Sequence, residues 1–190
     1  MRTEPMSFST LFRRRPAYLE TASMLLDGAV AQSRRPEFYR DGGVPDTLDG
    51  RFDLLVLHVF LVLQRLQSIA DAGPLAQAVL DRMFRVLDLN LREMGVQDMG
   101  IGKRIKVMAE GYNGRALAFR DALEADGDEL RTTLRRNVFG GVAPSEAQAA
   151  RMTSYVRCTA RRLAAHTDAE ITQGRLDFPA PGDCAEEPDR

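Results

Sequence analysis

The segment from Leu54 to Leu63 constrains the fold of this chain more than any other. Nine of its ten residues are apolar, and the exception is His58. A helix that spans a membrane needs about 20 predominantly apolar residues. A shorter run that is apolar on every side instead predicts the buried central helix of a soluble bundle.

Apolar residues recur at helical spacing on both sides of this segment, and no stretch alternates in the way that a strand would. The spacing predicts six helices, at 16–33, 46–72, 74–95, 98–125, 127–139 and 144–172. The predicted fold class is therefore all-α, a single-domain helical bundle of about six helices around the long buried one.

The two ends of the chain lack this pattern. Pro16 suits the first turn of a helix, so we expect residues 1–15 to form a flexible arm. Beyond Gly174 the sequence is polar and interrupted by proline, which is typical of disorder. We therefore divide the 190 residues into an arm at 1–15, a helical domain at 16–173 and a disordered tail at 174–190.

Composition and motifs argue against several functions. The formal net charge is −1, whereas nucleic-acid binding draws on an excess of cations. The sequence contains no spacing typical of a metal site, a phosphate-binding loop or a nucleophile elbow. We therefore predict that the protein is not an enzyme, that it has no catalytic residue, metal or cofactor, and that it binds another protein.

Histidine and cysteine are too sparse to indicate chemistry. Cys158 and Cys184 are 26 positions apart, one in a predicted helix and the other in the tail, which favours a reducing compartment. His58 lies on an apolar helix, where a hydrogen-bonded core histidine is a more frequent role than a proton donor or a ligand.

Two polar segments each allow two interpretations. The segment Arg34-Arg35-Pro36-Glu37-Phe38-Tyr39 places arginines beside aromatic rings, which is typical of a docking surface but equally of a loop that packs its rings onto the core. Asp49 and Asp53 lie one turn apart on the helix that Asp46 would cap. They could act as a carboxylate pair, although the helix dipole also favours acids in the first turns.

Several segments together resemble the ubiquinol–cytochrome c chaperone family. The matching residues lie between about 18 and 140, and they comprise RPEFY at 35–39, GVPDTLDGRFD at 43–53, LH at 57–58, NLREMGV at 90–96, GK at 102–103, MAEGY at 108–112, GRA at 114–116 and RN at 136–137.

The resemblance implies a helical, non-enzymatic chaperone that promotes assembly of the ubiquinol–cytochrome c reductase (bc1) complex. Mitochondrial members of the family hold newly made cytochrome b and, with a small partner protein, meet the ribosome that makes it. For this chain it therefore implies cytochrome b or another bc1 subunit as partner, with a small partner protein and the ribosome, and no direct recognition of nucleic acid.

The expected location follows from the first residues of the chain. They form no long targeting presequence, which favours a bacterial cytoplasmic protein, or a protein of the mitochondrial matrix if the source is eukaryotic. Peripheral contact with a membrane surface is a third interpretation, and it would use Phe8, Leu11, Phe12 and Arg13–Arg15.

We predict that the partner is bound by polar and aromatic residues in and beside the matching segments: Arg34, Arg35, Phe38, Tyr39, Asp49, Arg51, Asp53, Arg92, Glu93, Lys103 and Arg115. Four methionines, Met83, Met94, Met99 and Met108, would either fill the core or line a groove.

The alternative function is small-molecule or lipid binding in a pocket around His58, Asp53 and Tyr112. An exposed apolar groove would favour the chaperone, and a closed pocket of about 300–1,000 Å³ would favour the alternative.

Overall fold

The computed structural model describes residues 8–93, 98–125 and 127–184, and every regular element in those ranges is a helix. The all-α class predicted from the periodicity is confirmed. In chain order the described helices are α1 (Phe8–Ser33), α2 (Pro36–Arg40), α3 (Leu48–Gln67), α4 (Gly73–Glu93), α5 (Asp98–Glu124), α6 (Glu129–Asn137), α7 (Glu146–Ala165) and α8 (Asp168–Thr172).

Helix α3 is the centre of the bundle. Twelve of its 20 residues are buried, and it packs against α1, α4, α5 and α7. A helix can be surrounded in this way only if nearly all its faces are apolar, because each unpaired polar group would lose its hydration on burial. The apolar run from Leu54 to Leu63 therefore sits where its composition predicts.

The first half of the chain departs from the predicted boundaries in three places. α1 begins at Phe8 and runs through Pro16, although a proline inside a helix removes a backbone donor and crowds the preceding turn. The stretch expected to be irregular contains α2, which has Pro36 in its first turn. The predicted cap at Asp46 is wrong, because the Thr47 side chain accepts the hydrogen bond from the backbone N–H of Gly50.

The last predicted helix, 144–172, is divided into α7 and α8. The division is held by Arg65 at the end of α3, which is nearly buried. Its guanidinium donates to the carbonyls of Leu163 and His166 at 3.1 and 2.8 Å and to the Asp168 carboxylate at 2.6 Å. A side chain about 100 positions away in sequence thus satisfies the carbonyls that the end of α7 leaves open.

The C-terminal segment, residues 174–184, packs on the bundle, although we expected disorder from Gly174 onward. Leu176 and Phe178 lie against the core, and the Pro179 carbonyl accepts a hydrogen bond of 2.7 Å from Gln32 on α1. The partners of this segment come from distant helices, so a local sequence pattern could not indicate them. Residues 185–190 lie outside the described residues.

The N-terminal predictions are only partly covered. Residues 1–7, and the side chains of 8–17 that include Phe8, Leu11, Phe12 and Arg13–Arg15, lie outside the described part of the chain. The flexible arm and the membrane-surface interpretation therefore stay predictions. Within the described helices, none combines the length and the apolarity that crossing a membrane requires.

Candidate functional site

An open cleft of about 1050 Å³ lies between α1, α3, α4 and α5. Met83 at its base is 1% exposed, whereas Leu48 and Val107 at its edge are 64% and 59% exposed. The cleft is therefore closed below and open above. Its lining residues are Leu26, Val30, Ser33, Arg34, Tyr39, Leu48, Asp49, Arg51, Phe52, Asp53, Leu55, Met83, Val86, Leu87, Asn90, Leu91, Arg104, Val107, Met108, Gly111, Arg115, Arg136, Gly140 and Gly141.

Each of the four helices presents a stripe of apolar side chains to the cleft. On α4 the stripe is Met83, Val86, Leu87 and Leu91, which are spaced along one helix face. Met83 and Met108 both line the cleft, so the groove interpretation of the methionines applies to these two. Met94 and Met99 lie outside the described side chains.

The charged side chains of the cleft are mainly basic. Five arginines and two aspartates are among the lining residues, which amounts to a formal charge of +3, whereas the whole chain has −1. Six of the predicted partner-binding residues line the cleft: Arg34, Tyr39, Asp49, Arg51, Asp53 and Arg115.

Asp53 and Arg115 form an ion pair in the wall of the cleft. Their nearest side-chain atoms, Oδ1 and Nη2, are 2.8 Å apart, and the Asp53 side chain is 7% exposed. Burial raises the pKa of Asp53 to about 6 despite the opposing effect of Arg115, and the negative charge of Asp49 adds to the increase. The guanidinium of Arg115 also lies over the Phe52 ring, 5.9 Å from its centre.

Tyr39 and Arg51 form a second polar contact at the cleft. The Tyr39 hydroxyl donates to the Ser33 carbonyl at 2.6 Å, and the guanidinium of Arg51 lies 5.9 Å from the centre of the Tyr39 ring. Arg51 also binds Asp46 at 2.6 Å, and this hydrogen bond lowers the pKa of the Asp46 carboxyl. The end of α1 and the start of α3 are thereby held together.

Close backbone contact explains the glycine that follows Asp49. A Cβ atom placed on Gly50 would lie 2.1 Å from the carbonyl oxygen of Pro45, so any side chain would push the connection away from α3. Because this connection carries Asp46 and leads into the cleft residues Leu48 and Asp49, the small residue positions that rim of the cleft.

The segment from Arg34 to Tyr39 combines both interpretations that its sequence allows. Arg34 and Tyr39 line the cleft, whereas Phe38 is 1% exposed and packs in the core. Arg35 does not line the cleft, and its side chain pairs with Glu37 at 3.1 Å. Phe38 and Arg35 therefore lie away from the cleft, and their part in binding a partner stays a prediction.

His58 belongs to a buried hydrogen-bond network and not to the cleft. It is fully buried, and its Nδ1 lies 2.7 Å from the Leu54 carbonyl oxygen, which can only accept. Nδ1 therefore carries the proton, and Nε2 accepts from the Tyr155 hydroxyl at 2.7 Å. Burial lowers the pKa of His58 to about 4, which keeps the ring neutral.

Gln32 completes this network. Its side-chain amide donates to the Tyr155 hydroxyl at 3.0 Å and to the Pro179 carbonyl at 2.7 Å. Four separate parts of the chain are joined in this way, and His58 is the core histidine that its sequence context predicts. Neither His58 nor Tyr112 lines the cleft, so the cleft is not the pocket around His58, Asp53 and Tyr112 that the alternative function would use.

The remaining predicted residues lie elsewhere, and two charged residues of the cleft were missed. Arg92 binds Asp88 at 2.9 Å on the same helix, neither Arg92 nor Glu93 lines the cleft, and the side chain of Lys103 lies outside the described ones. The missed residues, Arg104 and Arg136, line the cleft. Arg136 belongs to one of the segments that match the family, and this match is the sequence signal that could have identified it.

Two further observations concern chemistry. Among the residues that the structure describes, no three His, Cys, Asp or Glu side chains are placed to hold a metal ion. Cys184, in the C-terminal segment, contacts Cys158 on α7, and burial together with this hydrogen bond raises the pKa of the Cys184 thiol to about 12. The two thiols are free, and they are neighbours although the sequence places them in different contexts.

Known proteins are similar to this chain in sequence and in fold. The family model described as ubiquinol-cytochrome C chaperone matches residues 40–178. Ubiquinol-cytochrome c reductase complex assembly factor 1 of Drosophila melanogaster is 26% identical over 156 residues, which cover 77% of this chain and 60% of the relative. The mitochondrial protein CBP3 of Saccharomyces cerevisiae is 26% identical over 150 residues, which cover 76% of this chain and 45% of CBP3.

A solved structure is similar over nearly the whole chain. The crystal structure of the Cbp3 homolog from Brucella abortus matches with a TM-score of 0.81 and 30% identity, and the match covers 94% of this chain and 100% of that one. The curated relatives are longer, since this chain spans between 45% and 61% of their lengths.

Proposed function

The chain belongs to the ubiquinol–cytochrome c chaperone family, and on this premise we propose that it promotes assembly of the bc1 complex by binding newly made cytochrome b in the cleft. The observation that carries the proposal is the open apolar cleft of about 1050 Å³ between α1, α3, α4 and α5. The relatives named as assembly factors for ubiquinol–cytochrome c reductase support the choice of client.

The cleft suits an unfinished membrane protein for a physical reason. Before its helices pack together, such a client exposes apolar faces that water would drive to aggregate. An apolar groove with an open mouth covers one such face reversibly, and the polar residues along the rim remain hydrated. Flexible methionines such as Met83 and Met108 allow the groove to fit more than one sequence.

Binding is the whole activity in this proposal, and no covalent bond is made or broken. Asp53, the buried carboxyl of the cleft, pairs with Arg115, and His58 is held in the core, away from any ligand. Both groups therefore act by shaping the protein. A small partner protein and the ribosome belong to the same proposal as further contacts of the assembly pathway.

The test is a site-specific photo-crosslink to the client. Val107 and Leu117 are exposed apolar residues on the same helix, at 59% and 51%, but only Val107 lines the cleft. With p-benzoylphenylalanine at either position, newly made cytochrome b should crosslink to position 107 and not to position 117.

Two results would contradict the proposal. Equal crosslinking at both positions would mean that the client contacts α5 without using the cleft. Crosslinks at position 107 to proteins of other membrane complexes, with none to a bc1 subunit, would mean that the cleft serves a different client.

A further inference from the structure

Helices form most of the lining of the cleft. Its walls are stripes from four helices, and on α5 the stripe runs through Arg104, Val107, Met108 and Gly111. Such rows of side chains form ridges and grooves that accept the ridges of another helix. A Cβ atom on Gly111 would lie 2.9 Å from Nη1 of Arg115, so a larger residue at this position would displace the Arg115 side chain.

The volume of the cleft is comparable with that of a short helical segment. A helix with side chains is about 10 Å wide and rises about 1.5 Å per residue, so each residue fills about 120 Å³. The 1050 Å³ of the cleft therefore accommodate about nine residues, or between two and three helical turns. This is about half of a helix that spans a membrane.

The charges of the cleft set the chemistry of that occupant. Arg51 is paired with Asp46 and Arg115 with Asp53, which leaves Asp49 as the remaining lining acid. Among the described side chains, the other three lining arginines have no acidic partner: Arg34, Arg104 and Arg136. A cationic cleft on a chain whose net charge is −1 is complementary to an acidic group.

Two of the unpaired arginines belong to one end of the cleft. Arg34 directly follows α1. Arg136 lies near the connection between α2 and α3, because Gly140, a few residues on, approaches Pro45: a Cβ on Gly140 would be 3.6 Å from the Pro45 ring. We name Arg34, Arg51 and Arg136 the polar end of the cleft.

We propose that the cleft binds two to three turns of an apolar protein helix that carries an acidic side chain, and that this side chain pairs with Arg34 and Arg136 at the polar end. The proposal rests on the proposed function and specifies the segment of the client that is bound. The helical stripes of the walls favour a helix over a lipid, whose acyl chains need no ridges. Tyr39 and Phe52 are the aromatic residues in the described lining, and an arginine lies over each ring, which leaves no stack of free rings for nucleic-acid bases.

The test uses defined peptides and the full chain. Three fluorescent helical peptides of about 18 residues, long enough to form a helix, share one leucine face and differ at a single position at the end of that face, which is Glu, Gln or Lys. Fluorescence anisotropy gives their dissociation constants. The Glu peptide should bind about tenfold more tightly than the Gln peptide, as expected for one charge-assisted hydrogen bond, and the Lys peptide should bind most weakly.

Matched variants separate the polar end from the overall charge. Arg34→Gln/Arg136→Gln should abolish the preference for the Glu peptide. Arg85→Gln/Arg175→Gln removes the same charge from two exposed arginines that do not line the cleft, and it should retain the preference. Thermal unfolding of both double variants checks that the fold is intact.

Each other result has a defined meaning. If the Glu and Gln peptides bind wild type equally, the acidic preference is wrong, while crosslinking of cytochrome b at position 107 would still support the proposed function. If no peptide binds, a helix is not the occupant. Vesicles of phosphatidylglycerol and of phosphatidylcholine form the lipid arm: binding to the anionic vesicles that the Arg34→Gln/Arg136→Gln variant loses, without peptide binding, would assign the polar end to a lipid headgroup and overturn the proposal.

Discussion

Two buried polar side chains of α3 have partners on other helices. His58 on α3 contacts Tyr155 on α7, and Asp53 on α3 pairs with Arg115 on α5. A buried polar group without a hydrogen bond costs about 1–3 kcal/mol, so each pair stabilises one arrangement of the helices over others. At the residue scale, therefore, side chains that could in principle act in catalysis or ligand binding serve here to define the fold.

Replacing His58 should destabilise the protein strongly. His58→Ala leaves a cavity beside Phe38 and removes the acceptor of the Tyr155 hydroxyl, so we expect a loss of about 3–5 kcal/mol in the free energy of unfolding. His166→Ala is the matched control, because that ring is partly exposed and only approaches Glu170 at 3.7 Å. It should cost less than about 1 kcal/mol. Urea unfolding measures both, and similar losses for the two variants would contradict the core role of His58.

The titration of Asp53 should be visible in the pH dependence of the free energy of unfolding. Its pKa in the folded protein is about 6, above about 3.9 in an unfolded chain. The folded state therefore holds more protons between those values, and this group's contribution to stability falls as the pH rises through about 4 to 6. His58 acts in the opposite direction, because its folded pKa of about 4 lies below about 6.5, so that its contribution rises with pH.

The two opposing contributions can be separated by one substitution. In Asp53→Asn the contribution of His58 remains, so the free energy of unfolding should rise from pH 4 to 6.5 more steeply than that of wild type, by up to about 3 kcal/mol. The measurement is urea unfolding across this pH range for both proteins. Parallel curves would show that Asp53 titrates in the folded protein as it does in water.

At the scale of whole elements, specific side chains hold two connections between helices in place. The connection before α3 is held by Gly50 against Pro45 and by Arg51 with Asp46, and this positions one rim. Arg65 binds the end of α7 and the start of α8, after which the chain turns back along the bundle. The C-terminal segment then covers the His58 network, where the Phe178 ring lies 5.6 Å from His58.

Removing this segment should therefore weaken the fold. Deletion of residues 175–190 exposes core beneath Leu176 and Phe178 and takes the Pro179 carbonyl from the buried Gln32 amide. We expect a loss of about 2 kcal/mol or more, or a melting temperature lower by about 4–8 °C for a chain of this size. Deletion of 185–190 keeps these three contacts and is the control. An unchanged melting temperature after the longer deletion would show that the segment contributes no stability.

At the scale of the whole molecule, we expect that the proposed function can be changed without changing the stability of the fold. The cleft is open and its edge residue Val107 is exposed, so filling it need not disturb the core. A deletion strain should contain less assembled bc1 complex and oxidise ubiquinol more slowly, while other membrane complexes keep their levels. Normal ubiquinol oxidation and normal cytochrome b spectra in that strain would contradict the proposed function.

Complementation then tests the cleft itself. Val107→Trp places a bulky ring in the mouth of the cleft and should fail to restore the bc1 complex, although its melting temperature should stay within a few degrees of wild type. Leu117→Trp, on the same helix outside the cleft, should restore it. Full rescue by both variants would separate the function from the cleft.

Much of this protein was determined by its sequence. The apolar run from Leu54 to Leu63 predicts a central buried helix, the helical spacing predicts an all-α fold, and the isolated His58 predicts a core residue. These features depend on local periodicity and on the cost of burying apolar or polar groups, both of which are visible along a single chain. The family resemblance also rests on segments that can be read in order.

The tertiary structure decided the rest. Asp53 pairs with Arg115, 62 positions away, Cys158 meets Cys184, and Arg34 turns into the cleft while its neighbour Arg35 turns out. These outcomes depend on which faces of distant helices meet. Helix packing brings together residues that are far apart in the sequence, and their separation in the sequence does not indicate their distance in space. For the same reason, the cleft exists only because four helices pack together. The pattern along one helix could predict the apolar stripe of that helix. It could not predict the space that the four stripes enclose.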